Sequence, residues 1–245
     1  MELLCKMKGG SHSYGLNTQT SDLDWRGVFV NTDIATVVGL DKHDHQQKQD
    51  ETADEVYTEF RNALKLLRSG NTQMIELLYA DDYEVSSSQW DLVRGYRKRL
   101  VSSETLFKCL RGYMQGELRL ANGERTGKLG GKRKEALDKY GFSPKNFVQL
   151  FRLSWAGKIY FQKGYFPVNV AKENDAYRDF LLDIKVHPSN YNVAVLNEIA
   201  AKSEASLVKA FESRIFDTKF DEELANRLCL DVYFGIMQKL VNNTK

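Results

Sequence analysis

Two carboxylates two residues apart, Asp22 and Asp24, follow shortly after the pair Gly10-Ser11 in the run Gly10-Ser11-His12-Ser13-Tyr14-Gly15. On a strand, residues i and i+2 project from one face. Carboxylates that close repel each other unless a cation lies between them, and Mg²⁺ is held by such carboxylates together with substrate phosphates. A Gly-Ser turn directly behind a strand presents backbone N–H groups and a hydroxyl, a cradle for phosphate oxygens. Cations on shared carboxylates activate an attacking oxygen and stabilise a leaving one in phosphoryl or nucleotidyl transfer. Either piece alone is commonplace on solvated turns. Their conjunction, a strand followed by a Gly-Ser turn and then an Asp-x-Asp entering a second strand, points to phosphate chemistry.

Other residues compete for a chemical role. Asp41, His43, Asp44 and His45 are spaced like metal ligands, although a solvated loop accounts for them more simply. His12 sits inside the Gly-Ser turn, where it reads equally as a phosphate contact or a polar spacer, and His187 precedes Pro188 as a helix-end residue. Glu76 lies among apolar neighbours, so it either pairs with an arginine or faces solvent while those neighbours pack. Lys145 and Arg152, seven apart with Gln149 between them, form a polar stripe on one helix face. That stripe is either a phosphate contact or a solvated basic face. Residues 119–145 carry eight Lys or Arg against three Asp or Glu. Their Gly- and Lys-rich centre reads as a flexible loop suited to a polynucleotide backbone, or as an ordinary exposed loop.

The elements that must position these groups change character along the chain. Residues 3–7 and 22–30 read as strands, the second rich in β-branched and aromatic residues, and residues 41–52 as a polar loop. From Asp54 onward Phe60, Ala63, Leu64 and Leu67 recur at helical spacing. That helix closes at Ser69-Gly70-Asn71, and a short helix spans 73–79. Beyond Trp90 the pattern is helical, over 88–101, 103–122, 130–140, 143–163, 172–186, 191–213 and 220–242, with Ser143-Pro144 as a start signal. Trp155, Tyr160, Phe161 and Tyr165 read as core or interface packing. The boundary falls between 82 and 100.

Composition excludes several classes. The 245 residues carry 35 Lys+Arg against 33 Asp+Glu, a net charge of +2, with 42% hydrophobic and 11% aromatic residues. This is a globular chain with enough apolar residues for a core, neither a polycation nor a disordered one. No run reaches the ~18–20 apolar residues of a membrane helix. Cys5, Cys109 and Cys229 form neither a disulfide framework nor a zinc set. A cytoplasmic, reduced protein is expected.

Gly10-Ser11, Gly15, Ser21-Asp22-Leu23-Asp24 and Arg26-Gly27-Val28-Phe29-Val30 resemble the G-S-x-x-x-G…S-D-x-D-x-R-G-V-x-V signature of DNA polymerase β-type nucleotidyltransferases. The nearest likeness is to the nucleotidyltransferases associated with RNA-ligase repair operons, which also occur in bacteriophages. Residues 65–78, with Gly70-Asn71 and Ile75-Glu76-Leu77-Leu78, are similar to that subfamily's helix–G-N-P–x-x-x-E-L-L segment, with Thr72 in place of Pro. Residues 140–146 and 150–153 resemble its Y-D-P-K-H-A…L-x-R-L block, with Asn146 in place of His. The matches cover roughly residues 8–165.

The resemblance implies an α+β fold: a small polymerase β-like sheet with flanking helices over residues 1–95, the catalytic domain, then an all-α domain over 96–245 that contacts nucleotide or acceptor. Gly10 and Ser11 would hold the triphosphate of an NTP such as ATP, with Lys145 and Arg152 as further nucleotide contacts. Asp22 and Asp24 would bind two Mg²⁺ or Mn²⁺ ions. A third carboxylate on a neighbouring strand is expected, with Asp54 first, Glu55 close behind and Glu59 also in range. The implied activity is transfer of an NMP from an NTP to a hydroxyl, foremost an RNA end, with pyrophosphate release. The alternatives are transfer to a protein hydroxyl and a catalytically silent nucleotide- or RNA-binding partner, for instance an antitoxin-like protein.

Overall fold

In a computed structural model the chain is described over residues 1–33, 45–49, 53–124 and 131–242. The candidate ligands Asp41, His43 and Asp44, and the centre of the basic segment at 125–130, lie outside the described residues. The chain divides into two compact units: Met1–Leu106 together with Thr218–Lys245, and Phe107–Asp217.

The first unit is built on a five-stranded sheet of order β3-β4-β2-β1-β5. Its strands are β1 (Glu2–Lys8), β2 (Leu23–Val30), β3 (His45–Gln49), β4 (Ala53–Glu59) and β5 (Val85–Ser86). β1 runs antiparallel to β2, and a register shift between Leu3 and Cys5 lets the adjacent Leu4 and Cys5 both be fully buried. β2 and β4 are parallel, a pairing no hairpin can make, so residues 31–52 act as the crossover. Within that crossover β3 returns antiparallel to β4.

Residues 53–59 correct the sequence-based expectation of a helix from Asp54. Val56, Tyr57 and Thr58 favour a pleated, half-buried surface, and α2 starts only at Phe60 (Phe60–Arg68). Glu59 marks the change: its carboxylate accepts the Asn62 N–H and caps that helix. Phe60, Ala63, Leu64 and Leu67 are buried at the expected spacing. The Asn71 N–H bonds to Leu66 O and the Gly70 N–H to Leu67 O, closing the helix as a Schellman motif. Asn71 then caps α3 (Thr72–Tyr79). A one-turn helix, α1 (Gly10–Ser13), follows β1 directly, and α4 (Ser88–Gly95) leads to a 3₁₀ turn at Arg97–Arg99.

The C-terminal helix belongs with this unit, whereas a single boundary at residue 95 assigns it to the helical half. α11 (Glu222–Asn242) and the residues entering it are tied back by Arg99–Asp221 at 2.5 Å, Arg68–Glu222 at 3.4 Å and Ser103–Thr218 at 2.8 Å.

The second unit is helical. It holds α5 (Ser103–Ala121) from Phe107 on, α6 (Gly131–Tyr140), α7 (Pro144–Lys163), α8 (Val170–Glu173), α9 (Asp175–Val186) and α10 (Val193–Glu212). Residues 172–186 break at Asn174, whose side chain caps α9 by accepting from the Tyr177 N–H. α7 is buried on nearly every side, with Phe147, Leu150, Phe151, Leu153, Ala156, Tyr160 and Phe161 all at 1% exposure or less. It is the unit's central helix, not one with a solvated basic face.

Gly27 on β2 is where the sheet is least forgiving. An added Cβ would lie 2.3 Å from the Cys5 carbonyl oxygen and 2.8 Å from Tyr57 Cδ1. The first contact is backbone and cannot swing aside. Gly27→Ala is therefore expected to destabilise the protein by about 1–3 kcal/mol or more, read as a lower urea midpoint at an unchanged slope.

Candidate active site

The site in the first unit starts where β1 ends. The Gly9 N–H donates to Asp24 O at 2.8 Å, which fastens the Gly-Ser turn to the start of β2. Gly10 has φ +57, in the left-handed region, and a Cβ there would lie 2.2 Å from Asp24 Oδ2. Position 10 thus requires glycine twice, for its backbone and because the Asp24 carboxylate lies where a side chain would be. Ser13 Oγ donates to Gly10 O at 2.9 Å, and the Leu16 N–H to Ser11 O at 2.9 Å. The turn therefore ties up its carbonyl oxygens internally.

Tyr14 extends this turn into the core. Its hydroxyl donates to Glu76 Oε2 at 2.8 Å, and Glu76 is only 5% exposed. Glu76 does not face solvent. It receives a phenol from the Gly-Ser segment, 62 residues away in sequence. Every residue of α3 except Gln73 is buried, so a carboxylate there needs a polar donor inside the fold. That was the available signal, but sequence alone does not name the donor.

The parallel register of β2 and β4 sorts the acidic candidates. Asp24 is paired with Asp54, Trp25 with Glu55, Arg26 with Val56 and Phe29 with Glu59. Paired residues on adjacent strands share a face, about 4.8 Å apart. Asp24 and Asp54 therefore stand side by side, with Arg26 on the same face. Asp22, exposed, lies one residue before the strand. Glu55 is on the opposite face with Trp25. There Lys6 Nζ lies 3.6 Å from Glu55, 3.7 Å from Glu84 and 4.2 Å from the Trp25 ring centroid. Glu59 is five residues further along the strand, roughly 16 Å away, and is occupied as a helix cap. The register puts Asp54 beside Asp24, and puts neither Glu55 nor Glu59 there.

Arg26 Nη2 lies 3.8 Å from Asp54 Oδ2. Among the described residues no three acidic, His or Cys side chains converge as a ready ligand cage. Hard-oxygen donors on one face nevertheless fit Mg²⁺ or Mn²⁺, because Mg²⁺ takes one or two carboxylates and completes its shell with water and substrate phosphates. The Asp24 carboxylate packed against Gly10 puts such a donor beside the Gly-Ser turn.

The Lys145-to-Arg152 stretch lies in the second unit. Lys145 is exposed on the first turn of α7. Arg152 is 1% exposed, its Nε donating to Gln149 Oε1 at 3.2 Å. Asn146, also buried, donates through Nδ2 to Glu117 Oε2 at 2.6 Å and accepts from Ser143 Oγ at 2.6 Å. Burial raises the Glu117 carboxyl above its ordinary range, opposed by the Asn146 hydrogen bond and by the charges of Arg133, Lys145 and Arg152. Glu117 carried no signal in the sequence.

Two outcomes test this geometry. Tyr14→Phe removes the phenol donor from the buried Glu76 carboxylate and should cost about 1–3 kcal/mol in urea unfolding. Gly10→Ala should cost about 1–2 kcal/mol for its left-handed backbone and also weaken Mn²⁺ binding in an EPR titration by displacing the Asp24 carboxylate. Unaltered Mn²⁺ affinity would show that the Gly10–Asp24 contact does not shape the metal site.

No curated protein matches this chain. The family model described as the RNA repair pathway DNA polymerase beta family matches residues 1–231. With nearly the whole length covered, and with the strand, Gly-Ser turn and paired aspartates that its name leads one to expect, the chain belongs to the RNA repair pathway DNA polymerase beta family.

Proposed function

We propose that the protein transfers a nucleoside monophosphate from an NTP to a hydroxyl at an RNA end and releases pyrophosphate. The observation that carries this reading is the pairing of Asp24 with Asp54 on one sheet face, with Asp24 packed against the Gly10-Ser11 turn. Family membership supports the polymerase β-type chemistry and the link to RNA repair.

In this reading the N–H groups of the Gly10-Ser11 turn and the Ser11 hydroxyl bind the triphosphate oxygens. Asp22, Asp24 and Asp54 would hold divalent cations. When bound, these supply charge neutralisation on the phosphates and a lowered pKa for the acceptor hydroxyl. Asp54 orients that hydroxyl and takes its proton at a carboxylate oxygen. The acceptor oxygen bonds to the α-phosphorus as the bond to the bridging oxygen of the β-phosphate breaks, so pyrophosphate leaves with the electron pair. Arg26, beside Asp54 in the structure, is placed to turn from that carboxylate to a phosphate oxygen. Lys145, exposed on the helical unit, and Arg152, buried in the same helix, are in this reading the nucleotide-phosphate contacts of that unit.

Incubation with labelled NTPs, Mg²⁺ or Mn²⁺, and RNA with a free 3′ hydroxyl should yield labelled RNA. Asp24→Asn should lower the rate by about a thousandfold, the equivalent of several kcal/mol of lost transition-state stabilisation, while Glu55→Gln should leave it within about threefold. Label on the protein without RNA would shift the acceptor to a protein hydroxyl. NTP or RNA binding without transfer, unaffected by Asp24→Asn, would identify a binding partner with no turnover.

A further inference from the structure

A second cluster of charge, within the Phe107–Asp217 unit, lies around the start of α7. Packing fixes which residues meet there. The Tyr177 hydroxyl of α9 donates to Phe151 O of α7 at 2.9 Å, Trp155 stacks on Tyr177 at 5.4 Å, and the Phe151 and Phe180 rings lie 5.9 Å apart. Numbers fall along α7 as they rise along α9, so the two helices are antiparallel. Six residues back from Phe151 is Lys145, and five residues on from Phe180 is Lys185, axial steps of roughly 9 and 8 Å. The last turn of α9 therefore carries Lys185 back to Lys145 on the first turn of α7.

Glu117 of α5 joins the same place through its 2.6 Å bond from Asn146, the residue after Lys145. Arg133 of α6 and Arg152 of α7 act on Glu117 together with Lys145. Three cations from two helices thus act on one carboxylate, and a fourth, Lys185 of α9, is held near one of them, Lys145. Burial, with the Lys145 charge added, pushes the Lys185 ammonium below its usual range. Two lysine ammoniums that converge from two helices at a partly buried place can offer one anion charge-assisted hydrogen bonds from two directions.

We propose that Lys145 and Lys185, reinforced by Arg133 and Arg152, form a phosphate-binding site in the helical unit that takes a chain of phosphates bearing several negative charges. Such a ligand is either the polyphosphate of a nucleotide or the backbone at an RNA end. The inference deepens the reading of Lys145 and Arg152 as phosphate-facing residues by adding Lys185 and Arg133. It is separable from catalysis because phosphate binding here needs neither a divalent cation nor turnover.

The test is binding of inorganic tripolyphosphate, and separately of a short RNA without a 5′ triphosphate, to the full chain in EDTA. It is followed by calorimetry and by the ligand-induced shift in melting temperature. Tripolyphosphate should bind wild type and Asp22→Ala alike. Lys185→Met and Lys145→Met should each weaken it roughly tenfold, the loss of one charge-assisted hydrogen bond, and Lys185→Arg should retain binding. Loss of RNA binding in the same variants would identify the backbone as a source of the phosphates, and RNA binding unchanged in them would leave the polyphosphate as the ligand. No binding in EDTA, or affinity unaltered in both lysine variants, would overturn the proposal. So would affinity lost on Ser11→Ala and not on Lys185→Met. Because the readout is the shift on adding ligand, a variant that merely melts lower without it is not mistaken for a binding defect.

Discussion

The parallel register between β2 and β4 is the constraint on which the site depends. Side chains alternate along a strand with a period of two, so a slip of one residue would exchange faces. In the observed register Asp54 stands beside Asp24, and Glu55 turns away to Lys6 and Trp25. Slipped by one, β4 would present Glu55 to the Asp pair and leave Asp54 beside Lys6. Burial holds the register: Val28, Phe29, Val30, Tyr57 and Thr58 are all buried, and Gly27 lets the Cys5 carbonyl and the Tyr57 ring approach closely.

The Gly-Ser turn is anchored from two directions. The Gly9 N–H bond to Asp24 O and the Asp24 carboxylate against Gly10 bind it to β2. The Tyr14 hydroxyl bonded to Glu76 binds its far end to α3. Two segments that look unrelated in sequence, the Gly-Ser run and the Ile-Glu-Leu-Leu helix, are therefore parts of one support. Hydrogen-bond donors act on a ligand best when they are held in place before it arrives, and a buried carboxylate receiving a phenol is a directional way to hold a turn.

In the helical unit the residues that read as a surface stripe part company, Lys145 exposed, Gln149 half-buried and Arg152 enclosed. Asn146, standing where the related subfamily has His, is engaged by Ser143 and Glu117, and Arg152 lies inside. The charges acting on Glu117 of α5 come from α6 and α7, and Lys185 of α9 acts on Lys145, so no stretch of sequence shows them together. Seven-residue spacing placed Lys145 and Arg152 on one side of a helix correctly, but whether that side meets water depends on which helices pack over it.

Local chemistry and periodicity were enough to find the Gly10-Ser11 turn, the Asp22/Asp24 pair, the first two strands and most of the helices. These follow from interactions spanning a few residues, such as the helical spacing of Phe60, Ala63, Leu64 and Leu67. The same reasoning ran residues 53–59 into the helix behind them. Whether Val56, Tyr57 and Thr58 form a strand is decided by a partner strand more than twenty positions earlier in the sequence, and local propensity does not carry that information. Which of Asp54, Glu55 and Glu59 stands opposite Asp24, the tyrosine that donates to Glu76 and the return of the C-terminal helix to the first unit likewise follow only from tertiary structure. Each depends on contacts between segments distant in the chain. The sequence determined which functional groups were available, and strand register and helix packing decided which of them meet.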